Sequence, residues 1–421
     1  MHYCTNGSYT LVLTVRNNET NVSATSLVYV AQTNYVMLEN TNPAWPYVTW
    51  STAATNIQDA IDAANDGITV LVSNGIYNTG EHLSSDDWSY WTTSQKNRIV
   101  ISKPVVVKSL NGPTNTVIEG WQWDNSGIVR GIRCAYVGDG AILSGFTLRN
   151  GANGDESAFN AMEGRIEWGH CAYGGGAYGD GSAVVSNCLI YSNSSVYSGG
   201  GVYGGTVQDC TIYGNVAQCL PGPGTGGGGG THASVVERSV IRNNDGGSRG
   251  GGALECVVRN SLVISNSADY GGGIAAYDGA GETVENCVIA NNSANYGGGV
   301  DSSGVPIINS TITGNSASMQ GGGINFWSGD LIGNCIVYYN SAPRGMNTSG
   351  GTYQYTCTVP SPGGVEIMTN NPGLASISRL ASNSPCIGAG NFSLVSGTDI
   401  DGEAWMNPPC IGADQYVGGA A

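Results

Sequence analysis

Long apolar runs are missing from this chain: no 18 consecutive residues are apolar, so no segment reads as a transmembrane helix. Charge is scarce as well. Only 11% of the residues are charged, and the three lysines, Lys96, Lys103 and Lys108, share one short stretch with Arg98 that reads as a solvated strand edge. The balance is acidic, with a formal charge of −16, which sets nucleic acid aside because its recognition rests on neutralising phosphates with Lys and Arg. The start, Met1-His2-Tyr3-Cys4, has neither the basic region nor the apolar stretch of a secretory leader. No Cys-x2-Cys pair occurs, which removes the usual structural zinc site. What abounds is glycine, 66 of 421 residues, with Asn, Ser, Thr, Val and Ile: a composition of short strands and tight turns.

The chain repeats. Aligned on one position, it reads Asn187-Cys188-Leu189-Ile190, Asp209-Cys210-Thr211-Ile212, Arg238-Ser239-Val240-Ile241, Asn260-Ser261-Leu262-Val263, Asn286-Cys287-Val288-Ile289, Asn309-Ser310-Thr311-Ile312 and Asn334-Cys335-Ile336-Val337. Five residues after each Cys or Ser stands an asparagine: Asn193, Asn215, Asn244, Asn266, Asn292, Asn315 and Asn340. The period of roughly 22–29 residues is too short for a propeller blade and suits one coil of a parallel β-helix. Glycine triplets follow at 174–176, 199–201, 250–252, 271–273, 297–299 and 321–323, each trailed by a small apolar residue. The expected architecture is all-β: a single-stranded right-handed parallel β-helix, in which Cys/Ser and Ile/Val stack inward and the asparagines form a ladder at ~4.8 Å per coil.

Both ends differ from the repeat. Residues 8–30 read as two strands around Asn17-Asn18-Glu19-Thr20, and Asn56-Ile57-Gln58-Asp59-Ala60-Ile61-Asp62-Ala63-Ala64 reads as a short amphipathic helix capped by Thr55 or Asn56. Placed before the first strand at residues 68–72, that helix covers the open end of the solenoid. The phrase from Gly7 to Val15 resembles the last hairpin of a PKD-type immunoglobulin-like domain. The helix and first strand resemble the cap of pectin-lyase-like β-helices, and the repeats, such as Asn292-Ser293-Ala294-Asn295-Tyr296-Gly297-Gly298-Gly299-Val300, resemble those of large secreted bacterial proteins and, more distantly, chlamydial polymorphic outer-membrane repeats. Asn383-Ser384-Pro385-Cys386-Ile387-Gly388-Ala389-Gly390, Thr398-Asp399-Ile400-Asp401-Gly402-Glu403 and Cys410-Ile411-Gly412-Ala413-Asp414-Gln415-Tyr416 resemble a choice-of-anchor Q segment. The expected organisation is therefore a sandwich remnant over 1–32, a capped β-helix over 45–360 and a C-terminal segment over 361–421. The resemblance implies an extracellular or outer-cell-surface protein, a piece of a longer polypeptide whose leader lies upstream.

Of the twelve cysteines, Cys188, Cys210, Cys287 and Cys335 fall in the inward column and are expected as stacked thiols, since coils ~4.8 Å apart do not suit a disulfide. Cys386 and Cys410 sit in matching Cys-Ile-Gly-Ala phrases and are expected to bridge, while Cys171 and Cys219 lie in loops where a bridge is also open.

On a regular solenoid, insertions mark where a site can lie. Residues 151–172 carry Glu163, Glu167 and His170 as catalytic candidates and Trp168 as a binding candidate; residues 216–232 end on His232. Together these loops are expected to wall one groove. Carboxylates in such a groove suit glycoside hydrolysis, whereas a lyase wants a base near calcium, for which Arg238, Arg242, Arg249 and Arg259 stand on neighbouring coils. Tyr178 and Tyr203 hold equivalent outward positions where a sugar ring stacks. Asp399 and Asp401 resemble the start of a calcium loop but lack the rest of the pattern; no cofactor is expected, calcium being the one that these residues allow. Against each stands a blander reading: loop charges solubilise, stacked tyrosines are solenoid surface, and Asp-x-Asp-Gly is a turn. Uniform repeats favour a scaffold for adhesion or glycan binding without catalysis, its partner a neutral or cationic glycan or a protein surface; the alternative is a polysaccharide lyase or glycoside hydrolase.

Overall fold

The computed structural model describes residues 7–16, 21–30, 33–84, 95–122, 131–153, 173–218, 226–277, 281–327 and 331–417. Three long sheets of eleven, twelve and eleven strands run the length of the molecule, each coil giving one strand to each sheet. In a typical coil Val300–Ser302 joins the first sheet, Ile307–Ile308 the second and Thr311–Thr313 the third. Every pairing within these sheets is parallel except His82–Ser84 against Gln95–Ile101. The chain is a right-handed parallel β-helix, as the repeat implies. Among the described residues no helix is long and apolar enough to cross a membrane.

Two side-chain ladders explain the repeat. At one corner each asparagine takes two hydrogen bonds from the coil before it: Asn215 Nδ2 and backbone N both donate to Asn244 Oδ1 at 3.0 Å, and Asn244 repeats this on Asn266. The chain of bonds continues through Asn292, Asn315 and Asn340 to Asn347, one step beyond the register read from sequence. Each amide also donates to a strand carbonyl, as Asn266 does to Ile241, so the buried groups are satisfied. The third glycine of each triplet lies against this ladder. A Cβ on Gly252 would meet Gly273 O at 2.7 Å and Asn266 Nδ2 at 3.0 Å, which is why no side chain fits there.

At the corner between the second and third sheets, the residue preceding each Cys or Ser adopts positive φ, from 45° at Arg238 to 55° at Asp209. Asparagine, tolerant of that region, takes five of the seven places. The next residue turns inward and bonds in both directions. Ser239 Oγ donates to Glu237 O at 2.8 Å and accepts from Cys210 N at 3.1 Å; Cys210 Sγ repeats the pattern at 3.2 and 3.4 Å. Cys188, Cys210, Cys287 and Cys335 are buried free thiols, pushed up in pKa to about 12 by burial at Cys287 and Cys335.

The short helix and the two N-terminal strands form as read, and two other expectations are corrected. The helix spans Ile57–Ala63, with the Asn56 side chain accepting from Asp59 N at 2.8 Å. Residues Gly7–Arg16 and Asn21–Val30 form an antiparallel hairpin. Arg98 is not a solvated edge residue: it is 6% exposed and donates to the carbonyls of Gly80, Glu119 and Gly120. Cys386 and Cys410 are free, not bridged. Their phrases do pair, Ile411 N donating to Cys386 O at 2.9 Å, but Cys410 Sγ takes Gln415 Nε2 and Tyr416 N, and the thiol facing Cys386 is that of Cys357.

The C-terminal segment runs back along the solenoid as a strap. Asn334, Asn309, Asn286 and Asn260 donate in turn to the carbonyls of Asn391, Leu394, Ser396 and Asp399. Ala413 packs with Val288 and Ala290 on the outer face of the third sheet. The positive-φ asparagines thus serve twice, turning the coil and holding the strap.

Candidate functional site

The strap covers the third sheet, and the first sheet presents a different face. One outward column there is continuous in register: Tyr136, Tyr178, Tyr203, His232, Leu254, Ala275, Asp301, Asn325 and Ser349. A second column arrives from the corner before each triplet and includes Tyr173, Arg249, Tyr270 and Tyr296. Side chains from both meet over the sheet.

At one end they form an aromatic cluster. Tyr178 stacks between Tyr136 at 5.9 Å and Tyr203 at 5.2 Å, with the Arg133 guanidinium 5.1 Å from its centroid. Both ring faces are taken and Tyr178 is 7% exposed, which corrects its expected role as an open sugar platform. Tyr203 and His232 are half-buried, His232 standing edge-on to Tyr203 at 5.1 Å. Tyr173, at the foot of the first insertion, lies 4.5 Å from Tyr203. His232 Nε2 meets Glu255 Oε2 at 3.2 Å, and that contact holds the Glu255 carboxyl below the usual range. Glu163, Glu167, Trp168 and His170 lie outside the described residues.

At the other end sits a buried acid. Asp301, fully inaccessible, accepts from Tyr277 Oη at 2.6 Å, Asn325 Nδ2 at 2.6 Å and Trp327 Nε1 at 3.2 Å. Burial outweighs these donors and raises its pKa. Tyr277 is raised too, by its own burial and then by the Asp301 charge. The Arg249 guanidinium lies 4.3 Å over the Tyr277 ring and acts electrostatically on both Asp301 and Glu255, so it joins the two ends. Among the described residues its buried Nε has no hydrogen-bond partner. Arg249, Tyr270, Tyr277, Asp301, Ser303 and Trp327 line an open cleft of about 400 Å³, with Trp327 65% exposed at its rim.

Of the four arginines considered as a basic group, only Arg249 is in this cleft. Arg238 makes a two-pronged pair with Asp209, Arg242 stacks on Tyr213 and Arg259 pairs with Glu285, all away from it. Asp301, Tyr277 and Trp327 escaped the sequence reading. Asp301 is the second residue after its triplet, as Tyr178 and Tyr203 are after theirs, and Tyr277 and Trp327 are each the fourth. Asp399, the metal candidate, is buried with one carboxylate oxygen on Asp401 N and Glu403 N and the other on Gln415 N, while Asp401 points away to Arg379 at 2.8 Å.

No protein-family model and no curated protein matches the chain. Solved structures do. A pectate lyase, Pel9A, superposes with a TM-score of 0.56 at 16% identity, covering 91% of this chain and 96% of its own. A xylose complex of XylC (0.41, 10% identity, covering 91% and 98%) and a rhamnogalacturonan lyase (0.35, 14%, covering 80% and 85%) are more distant. At these identities the likeness to the pectate lyase is one of fold.

Proposed function

We propose that the chain cleaves an acidic polysaccharide by elimination, in the cleft centred on Asp301. The observation that carries this is the Asp301–Tyr277–Arg249 constellation: a buried carboxylate, a phenol bonded to it and a guanidinium beside both, opening onto an exposed tryptophan. The fold shared with a pectate lyase adds support for this class over passive adhesion.

The chemistry needs three things. The carboxylate next to the reacting carbon of a uronate is neutralised, for which Arg249 is placed. A base takes the proton from that carbon. Asp301, made more basic by burial, receives it through Tyr277, whose hydroxyl passes its own proton on as it takes the new one. The carbon–carbon double bond then forms as the glycosidic C–O bond breaks, and water protonates the leaving oxygen. Trp327 offers the face on which a neighbouring sugar stacks. The charge of −16 does not forbid a polyanion here, because charges beyond about 8 Å are screened at physiological salt while Arg249 acts at contact.

An extracellular or cell-surface setting belongs to the same proposal, as do the PKD-like and choice-of-anchor-like ends. A second reading, a glycan-binding scaffold without turnover, is favoured by the three donors Asp301 already accepts. Incubation with polygalacturonate and related uronans separates them. Elimination creates an unsaturated sugar with new ultraviolet absorbance, expected to fall by about 100-fold or more in Tyr277→Phe and Asp301→Asn. Binding to the same polymer without any absorbance change supports the scaffold instead.

A further inference from the structure

The tip of the strap carries a second cluster, remote in chemistry from the cleft. Residues 398–404 close a tight loop in which Asp399 N donates to Glu403 O at 2.9 Å and Gly402 N to Asp399 O at 3.2 Å. The Asp399 carboxylate pins that loop from within and reaches across to Gln415 N at 2.9 Å, tying it to the chain's final described turn. This arrangement delivers Glu403 and Asp414 beside Asp399, so that one carboxylate oxygen from each of the three lies within 4.8 Å of the others.

Asp414 makes this more than an acidic surface. It is only 7% exposed, and among the described residues no hydrogen bond or ion pair reaches its carboxylate. Arg379, a cation of this neighbourhood, is bonded to Asp401 at 2.8 Å. A buried carboxylate that takes no hydrogen bond and is aimed at two more is met only through the charge of Arg379, which is itself bonded to Asp401.

We propose that Asp399, Glu403 and Asp414 bind a calcium ion that fastens the strap to the solenoid. The donors are all carboxylate oxygens, which select a hard divalent cation over a soft one. Calcium suits them better than magnesium, because Asp399 is held by three backbone N–H groups and cannot adjust to a strict octahedron at ~2.0 Å, whereas calcium tolerates variable oxygen geometry. The ion joins the loop to the segment fifteen residues on, and the loop docks where Asn260 Nδ2 holds the carbonyls of Thr398 and Asp399. The same loop borders a cleft of about 540 Å³ against Arg238 and Arg259, through which solvent reaches this part of the strap.

The test uses the full chain, stripped with chelator and titrated with calcium chloride by calorimetry, with melting temperature followed in parallel. One site is expected, with dissociation constant in the range of about 10⁻⁵–10⁻³ M, together with a rise in melting temperature. Asp414→Asn and, separately, Glu403→Gln should weaken binding at least tenfold and abolish the rise, while Asp401→Asn should leave it within about twofold. Absence of calcium heat and of a melting shift in the parent protein overturns the proposal. So does an unchanged shift in both Asp414→Asn and Glu403→Gln, which would put calcium elsewhere on an acidic chain. Uronan turnover is not part of the readout, so failure here leaves the cleft assignment standing.

Discussion

The Tyr277 hydroxyl donates to Asp301 Oδ2 at 2.6 Å across one coil boundary, on the outer face of the first sheet. Burial makes the Asp301 carboxyl hold its proton more tightly in the folded chain than in the unfolded one. A raised native pKa means that its contribution to stability is full below the ordinary carboxyl range of ~4 and is lost as pH rises through the native value. Asp301→Asn removes that dependence. Melting temperature followed from pH 3.5 to 8 should fall more steeply for the parent than for the variant; parallel profiles would mean that Asp301 is not desolvated as described.

Interior ladder asparagines should be costly to remove. Asn266→Ala leaves Asn244 N and Nδ2 without the oxygen they share and Ile241 O without its amide donor in a buried corner, while the backbone N of residue 266 still bonds Asn292 Oδ1. Urea denaturation should show a loss of about 4 kcal/mol, from the ~1–3 kcal/mol per orphaned buried group. A loss under 1 kcal/mol would show that water replaces the ladder.

Holding the strap is a separable task. Asn334→Gly keeps the positive φ of 51° yet deletes the bonds to Asn391 N at 2.8 Å and Asn391 O at 2.9 Å. Limited proteolysis should then cut near residues 391–400 faster, with the coil fragment intact. Unchanged cleavage would mean that apolar packing alone retains the strap.

The cysteine arrangement is open to direct chemical reading. Alkylation of the unfolded, unreduced protein should label Cys386 and Cys410 as fully as Cys188, Cys210, Cys287 and Cys335. A bridged peptide containing Cys386 would contradict the free thiols.

The coil architecture was legible because burial enforces it: an amide at Asn244 or Asn266 has to be satisfied by its counterpart one coil away, which fixes the spacing. The thiol and hydroxyl column was read as packing, but its hydrogen bonding was not, since Cys and Ser look merely small in sequence. Cys386 misled because paired phrases align backbones without aligning side chains. The site was missed for a different reason. Insertions drew attention to residues 151–172, whereas Arg249, Tyr277, Asp301 and Trp327 sit on regular coils, brought together only by stacking. The triplet register already placed Asp301 in line with Tyr178 and Tyr203. The strap's return path carries no periodicity and had no signal beyond the asparagines it docks on.

Crystals of Asp301→Asn soaked with a uronate oligosaccharide test the site most directly. The expected result is a sugar ring stacked on Trp327 with its carboxylate on Arg249 and its reacting carbon facing Tyr277. Oligosaccharide bound instead along the strap or the second sheet, with the cleft holding only solvent, would contradict the assignment.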